Sequence, residues 1–176
     1  MTTIAARVQP NGKVKIAWDS QVTSGNTSSQ NFVKARSLNG QGAIGIAGHV
    51  RFANLIHHAS VSMIHPKDLN TEDAKIEEWL VEDVIPVGRK ASHASLRHTE
   101  PVCNYPSSHI LLSRSGKVFE ISHDFSVVDE GDFAAIGSGS HFAIAAMHLG
   151  KTPQAAVRVA ADLDLFTGNH VREMTV

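Results

Sequence analysis

The feature that most constrains this chain is the segregation of its hydrophobic periodicities. Strand-like alternation comes in runs, and helix-like stripes come in pairs between the runs. The predicted strands begin with Thr3 to Val8 and Lys13 to Asp19, joined by Pro10-Asn11-Gly12; Asn-Gly is a strong hairpin signal. In the second of these, Val14, Ile16 and Trp18 share one face, and Lys13, Lys15 and Asp19 share the other. Ser20 to Gln30 is polar and reads as loop. Val33 to Leu38 and Ala43 to Ala47 follow as strands around a turn at Asn39-Gly40-Gln41-Gly42. Two helices are predicted next, over 50–63 ahead of Pro66 and over 70–85 ahead of Pro86. Gly88 to Ser108 is rich in Ser, His and Pro and reads as loop.

Strand pattern returns at His109 to Ser113, Lys117 to Ile121 and Phe133 to Ile136. A helix is predicted over Ser140 to Leu149, stopping at Gly150. Another opens at Thr152-Pro153, where threonine caps and proline loses no hydrogen bond, and runs to Leu165. Val171 to Val176 reads as a last strand. Strands, two helices, strands, two helices and a strand imply a layered α+β fold, not regular βαβ units.

Composition narrows the class. A length of 176 residues reads as one domain, 1–176. Hydrophobic residues at 42% and charged residues at 19% argue for a packed core and against disorder. A formal charge of -1 leaves no electrostatic footprint for nucleic acid. No apolar run reaches the ~20 residues of a membrane helix, and no signal peptide is apparent at Met-Thr-Thr-Ile. One cysteine, Cys103, excludes an internal disulfide framework and suits a reducing, cytoplasmic compartment.

The chemistry starts at Thr2. Its small side chain favours removal of Met1, which would leave a hydroxyl and a free α-amine on one residue. Such an amine has a pKa near ~8 and can serve as the base for its own hydroxyl. By itself Met-Thr is a common beginning, and Thr2 alone reads as part of an unremarkable first strand. Taken singly, Asp19 is a turn residue at a strand end and Lys34 a surface lysine. Gly48 joins strand to helix, and Gly137-Ser138-Gly139 is a strand-to-helix turn; it lacks the lysine of a phosphate loop. The eleven histidines show no zinc spacing: His57 and His58 are adjacent, and His93 and His98 stand five apart. Cys103 beside a histidine is a further conceivable nucleophile. No metal and no cofactor is expected.

Several motifs in order change the weight of these residues. They are Thr2-Thr3-Ile4, Asn11-Gly12, Ile16-Ala17-Trp18-Asp19-Ser20-Gln21, Gly25-Asn26, Lys34-Ala35-Arg36-Ser37-Leu38 and Gly45-Ile46-Ala47-Gly48. They continue at Ala135-Ile136-Gly137-Ser138-Gly139 and Asp164-Leu165-Phe166-Thr167-Gly168-Asn169. Together they resemble the proteasome family, and in particular the HslV-type bacterial proteasome peptidases, over nearly the whole chain except Gly88 to Ser108.

The resemblance implies an N-terminal nucleophile hydrolase, a four-layer α-β-β-α sandwich. It implies Thr2 as nucleophile with its amine as base, and Lys34 as the cation beside them. Asp19 would orient that lysine, and the Gly48 N–H would hold the oxyanion. Ser138 would relay protons, supported by Asp164 and Thr167. Val22, Ile46 and Val50 would line an apolar pocket for the residue before the scissile bond. The implied assembly is a homo-oligomer of stacked hexameric or heptameric rings, fed unfolded polypeptides by a ring ATPase. The alternative is a catalytically silent structural or gating ring subunit. Departures from the family pattern are Trp18, where small residues are usual, His49-Val50-Arg51 after Gly48, and altered spacings on either side of Asp19. Asp164 resembles the eukaryotic-type pattern, which implies a divergent branch.

Overall fold

Asn11-Gly12 closes the first hairpin, between β1 (Thr3–Val8) and β2 (Val14–Asp19). Gly12 donates to the Gln9 carbonyl at 2.9 Å, and Asn11 Oδ1 accepts the Lys13 N–H at 3.1 Å. That bond leaves Lys13 in the turn, so β2 begins at Val14. The structure is a computed structural model that describes residues 2–24, 27–38, 42–60, 81–82, 85–86, 90, 109–114, 116–124 and 126–176. The predicted helix over 70–85, the end of the helix over 50–63, the turn residues 39–41, Gly25-Asn26, His93, His98, Cys103 and most of Gly88 to Ser108 lie outside these residues.

The remaining elements are β3 (Val22–Ser24), β4 (Thr27–Ser29), β5 (Ala35–Ser37), β6 (Gly42–Ala47), α1 (Val50–Ser60), β7 (His109–Arg114) and β8 (Lys117–Ile121). They continue as β9 (Val127–Asp129), β10 (Phe133–Gly137), α2 (Ser140–His148), α3 (Pro153–Leu163) and β11 (Val171–Thr175). A four-stranded sheet has the order β10-β1-β2-β11, and a five-stranded sheet has the order β5-β6-β7-β8-β9. All their pairings are antiparallel.

The two-residue side-chain period turns these sheets into layers. Ile4, Ala6, Val14, Ile16, Ala134 and Ile136 face the other sheet and meet Ala43, Ala47, Leu111 and Val118. The opposite face of the first sheet offers Ala5, Ala17 and Ala135 to Ala143, Ala146, Ala156 and Ala160 of α2 and α3. Alanine on both sides brings those helices close to the sheet. The opposite face of the second sheet offers Ile44, Ile46, Ile110, Leu112, Phe119 and Ile121 to Phe52, Ala53 and Ile56 of α1. The architecture is the α-β-β-α sandwich of the N-terminal nucleophile hydrolase type.

The larger differences from the sequence reading are these. The loop read over Ser20 to Gln30 holds the small hairpin β3-β4, with Val22 paired to Ser29. Its Ser- and Thr-rich strands show no apolar face, so alternation could not reveal them. β9 was likewise hidden, since Val128 and Asp129 are exposed. β5 is shorter than the run Val33 to Leu38. α3 stops at Leu163 and not Leu165, because Asp164 takes an extended conformation.

Candidate active site

The first sheet delivers four chain segments to one edge of the sandwich. Thr3 pairs with Gly137 of β10, Ile4 pairs with Trp18 beside Asp19, and Val171 of β11 pairs with Asp19. β6 of the second sheet ends at the same edge: a Cβ placed on Gly137 would lie 3.4 Å from the Ala47 Cβ. Thr2, Asp19, Gly48 and Ser138 therefore sit at strand ends that meet. The ends of the strands and the connections that leave them carry the site.

Asp19 is the hub. It is 0% exposed. Its Oδ1 accepts the Thr3 N–H at 2.7 Å. Its Oδ2 accepts the Lys34 ammonium at 2.9 Å and the N–H groups of Gln21 and Gly168, each at 3.1 Å. Four donors from four segments satisfy a carboxylate that would otherwise be very costly to bury. Lys34 is 2% exposed. Burial pushes its ammonium below the usual lysine range, and the Asp19 charge and hydrogen bond oppose that shift. One carboxylate thus ties the Lys34 cation to the Thr2-Thr3 peptide.

A second network stands on the other side of Thr2. Ser138 Oγ and Thr167 Oγ1 both donate to Asp164 Oδ2, each at 2.6 Å. Thr167 has then spent its proton, so at its 2.6 Å contact with Thr3 Oγ1 it accepts. Thr3 Oγ1 in turn accepts the Gly139 N–H at 3.1 Å. The polarity runs from Gly139 through Thr3 and Thr167 to Asp164. Burial works against the Asp164 carboxylate, but the bonds from Ser138, Thr167 and the Phe166 N–H outweigh it and hold it below the usual carboxylate range. Ser138 Oγ also lies 3.5 Å from the Thr2 carbonyl oxygen. The Thr3 hydroxyl is a site group that sequence reasoning missed, because its partners Thr167 and Gly139 lie 164 and 136 residues away.

Two glycines make room. Gly137 has φ +98, and a Cβ there would stand 1.9 Å from the Thr2 carbonyl oxygen. Gly48 has φ 130, a conformation that lets β6 break off sharply before α1. A cleft of about 700 Å³ opens above Thr2, with Gly48, Gly137 and Ser138 in its walls. His49, His109, Glu120 and His141 also line it. Of these four the sequence marks only His49, in the departure from the family pattern after Gly48; the four come from separate segments. His109 Nδ1 and Glu120 Oε1 lie 2.7 Å apart.

The residues expected to bind substrate do not stand together in the walls of this cleft. Ile46 packs beneath the five-stranded sheet with α1, because its place in the alternation of β6 points it away from the other sheet. Val22 is half-buried in β3, and Val50 is half-buried at the first position of α1. Among the described residues no group of three or more His, Cys, Asp or Glu side chains is arranged to hold a metal, and no helix is long and apolar enough to cross a membrane.

No family model matches the chain. It is 30% identical over 190 residues to the ATP-dependent protease subunit HslV of Ligilactobacillus salivarius, covering 97% of both chains. The chain belongs to the HslV family. HslV of Brevibacillus brevis is 28% identical, over 97% of this chain and 93% of its own length. Solved structures agree on the fold. The eukaryotic HslV from Trypanosoma brucei superposes with a TM-score of 0.71 at 23% identity, over 99% of this chain and 98% of that one. Thiobacillus denitrificans BPH, in complex with epoxomicin, superposes with a TM-score of 0.75 at 19% identity, with the same coverage. The chain is an HslV-like, proteasome-type peptidase subunit, a hydrolase.

Proposed function

We propose that this HslV-family chain is a threonine endopeptidase whose nucleophile is Thr2 Oγ, exposed to its own α-amine once Met1 is removed. The amine takes the hydroxyl proton as the oxygen attacks the peptide carbonyl carbon. The tetrahedral oxyanion is held by the Gly48 N–H. The amine passes its proton to the leaving nitrogen, the C–N bond breaks, and an ester to Thr2 remains. Water, deprotonated by the same amine, then hydrolyses that ester. Lys34 lowers the energy of the Thr2 oxyanion and disfavours protonation of the amine. Asp19 orients Lys34. Ser138, backed by Asp164 and Thr167, helps carry the proton.

The observation that carries this reading is the Asp19 carboxylate bonded to both the Thr3 N–H and the Lys34 ammonium. That arrangement supports a cation working beside the second residue, and no core-packing need calls for a lysine there. Val22 and Val50, both half-buried, belong to the reading as candidates for the apolar pocket for the residue before the scissile bond, whereas Ile46 is packed in the core against α1. Stacked rings of six or seven subunits, a ring ATPase as partner, unfolded polypeptides as substrates and a cytoplasmic setting complete it. The ATP-dependent naming of the HslV relatives supports the ATPase.

Mass spectrometry of the purified protein, paired with peptide hydrolysis, tests the proposal. The expected product begins at Thr2 and cleaves peptides, and Thr2→Ala abolishes cleavage while the oligomer persists. Turnover by Thr2→Ala at the parent rate overturns the mechanism. Full retention of Met1 in the native host, with no cleavage, identifies a silent subunit instead.

A further inference from the structure

The two-residue period puts His109 and Glu120 where apolar side chains belong. Leu111 and Val118 lie on the face of the five-stranded sheet that meets the other sheet. His109 stands two residues before Leu111 in β7, and Glu120 stands two residues after Val118 in β8. Both therefore occupy that inter-sheet face. They stand at the end of the ladder where His109 pairs with Ala47, the residue before Gly48. Both line the cleft above Thr2. Core packing calls for no carboxylate between two sheets, and one left uncompensated there is costly.

The pair has a defined polarity. His109 Nδ1 and Glu120 Oε1 lie 2.7 Å apart, and a carboxylate only accepts, so the ring nitrogen donates. That bond fixes one carboxylate oxygen. Among the described residues Glu120 Oε2 has no hydrogen bond, and no lysine or arginine pairs with Glu120. Asp129 of the neighbouring strand differs, since Lys117 answers it at 3.2 Å. The Glu120 charge is felt nearby: burial, Glu120 and Asp129 together push the Glu130 carboxyl up. Glu120 is thus an oriented negative charge in the cleft wall that lacks a full cation.

The other walls give this charge a context. Ala47, Ile136 and Ile144 supply apolar surface, and Thr2, Gly48 and Ser138 belong to the same cleft. Apolar surface beside one carboxylate suits a long aliphatic stem that ends in a cation. Val22 and Val50 do not line this cleft, so it is a separate subsite from theirs.

We propose that Glu120, oriented by His109, is a specificity-determining residue: the cleft receives an arginine or lysine side chain of the polypeptide near the bond to be cut, and Glu120 accepts its charged N–H groups. The effect on cleavage rests on the threonine-peptidase reading. Binding of the basic side chain does not.

Paired peptides with arginine or citrulline at one position test the proposal, because citrulline keeps the length of arginine and removes its charge. The position runs from two residues before to two residues after the scissile bond. With processed oligomer, kcat/KM at one of these positions should favour arginine by about tenfold or more, as a charged hydrogen bond in a partly dry cleft would give. Glu120→Gln should bring that ratio close to one. No preference for arginine at any position of the unaltered protein overturns the proposal, as does an unchanged ratio in folded Glu120→Gln.

Binding separates this proposal from the peptidase reading. Fluorescence anisotropy of the same peptides, labelled, on the Thr2→Ala oligomer should show the arginine preference without turnover. A parent that cleaves nothing, with a Thr2→Ala oligomer that prefers arginine, removes the peptidase reading and leaves the subsite. A parent that cleaves peptides, with no arginine preference in cleavage or binding, removes the subsite and leaves the reading.

Discussion

Lys34 Nζ and Asp19 Oδ2 meet at 2.9 Å with almost no solvent contact. Their sequence positions are fifteen residues apart. The pair is an electrostatic unit: neither charge is tolerable in that place without the other. Removing one partner of a buried pair costs about 3–5 kcal/mol, far more than an exposed pair is worth. Asp19→Asn should therefore destabilise the subunit by about that amount and abolish peptide cleavage. Denaturant unfolding and a fluorogenic peptide assay check the two halves. A folded, active Asp19→Asn protein would contradict the hub role of the carboxylate.

Gly137 makes a sharper steric prediction. Its φ of +98 strains any side chain, and a Cβ would overlap the Thr2 carbonyl at 1.9 Å. Gly131 has a comparable φ of +68 with nothing within 4 Å of the added carbon. Gly131→Ala should cost only the backbone term, about 1–2 kcal/mol, and leave activity alone. Gly137→Ala should displace Thr2 and eliminate turnover. Side-by-side melting and activity measurements separate the two.

The Thr3 hydroxyl links two other donors and acceptors in a dry place. Thr3→Val preserves shape but strands the Gly139 N–H and leaves Thr167 without its donor. A loss of about 1–3 kcal/mol is expected. Activity should fall with it, because the network supports Asp164 and Ser138. Thr3→Ser should behave like the parent. Chemical denaturation of the three proteins at one pH decides it.

Acid sensitivity follows from His57. Burial, reinforced by Arg36 and only partly offset by the Lys34 carbonyl, pushes its pKa down to about 4 from 6.5. Below the ordinary value the unfolded chain takes up a proton that the folded chain refuses. Stability contributed by this group is complete above about pH 6.5 and declines as the pH falls toward 4, by about 3 kcal/mol over the window. Urea titrations at neutral and mildly acid pH should show the decline. In His57→Leu that component should vanish.

Much of this architecture is written in local pattern. Alternation in β2 already separates Val14, Ile16 and Trp18 from Lys15 and Asp19. Asn11-Gly12 fixes the first hairpin, and Thr152-Pro153 fixes the start of α3, with Thr152 Oγ1 accepting the Ala155 N–H at 3.3 Å. The family motifs point to Thr2, Asp19, Lys34 and Ser138 by resemblance, not by periodicity. β3, β4 and β9 escaped because strands of three residues are too short to show a period. The end of α3 was misplaced because the Asp164 side chain is engaged by Ser138, 26 residues away, and by Thr167.

The sequence by itself determined the layers, since the two-residue period sends each side chain to one face or the other regardless of what lies there. Only the tertiary structure decided how Asp19 is held, for one of its donors is Gly168, 149 residues distant. It also decided that Thr3 answers Thr167. The physical reason is the same in each case. A buried polar group must be matched by whichever donors and acceptors the fold brings to it, and residues that meet only after folding leave no spacing in the chain.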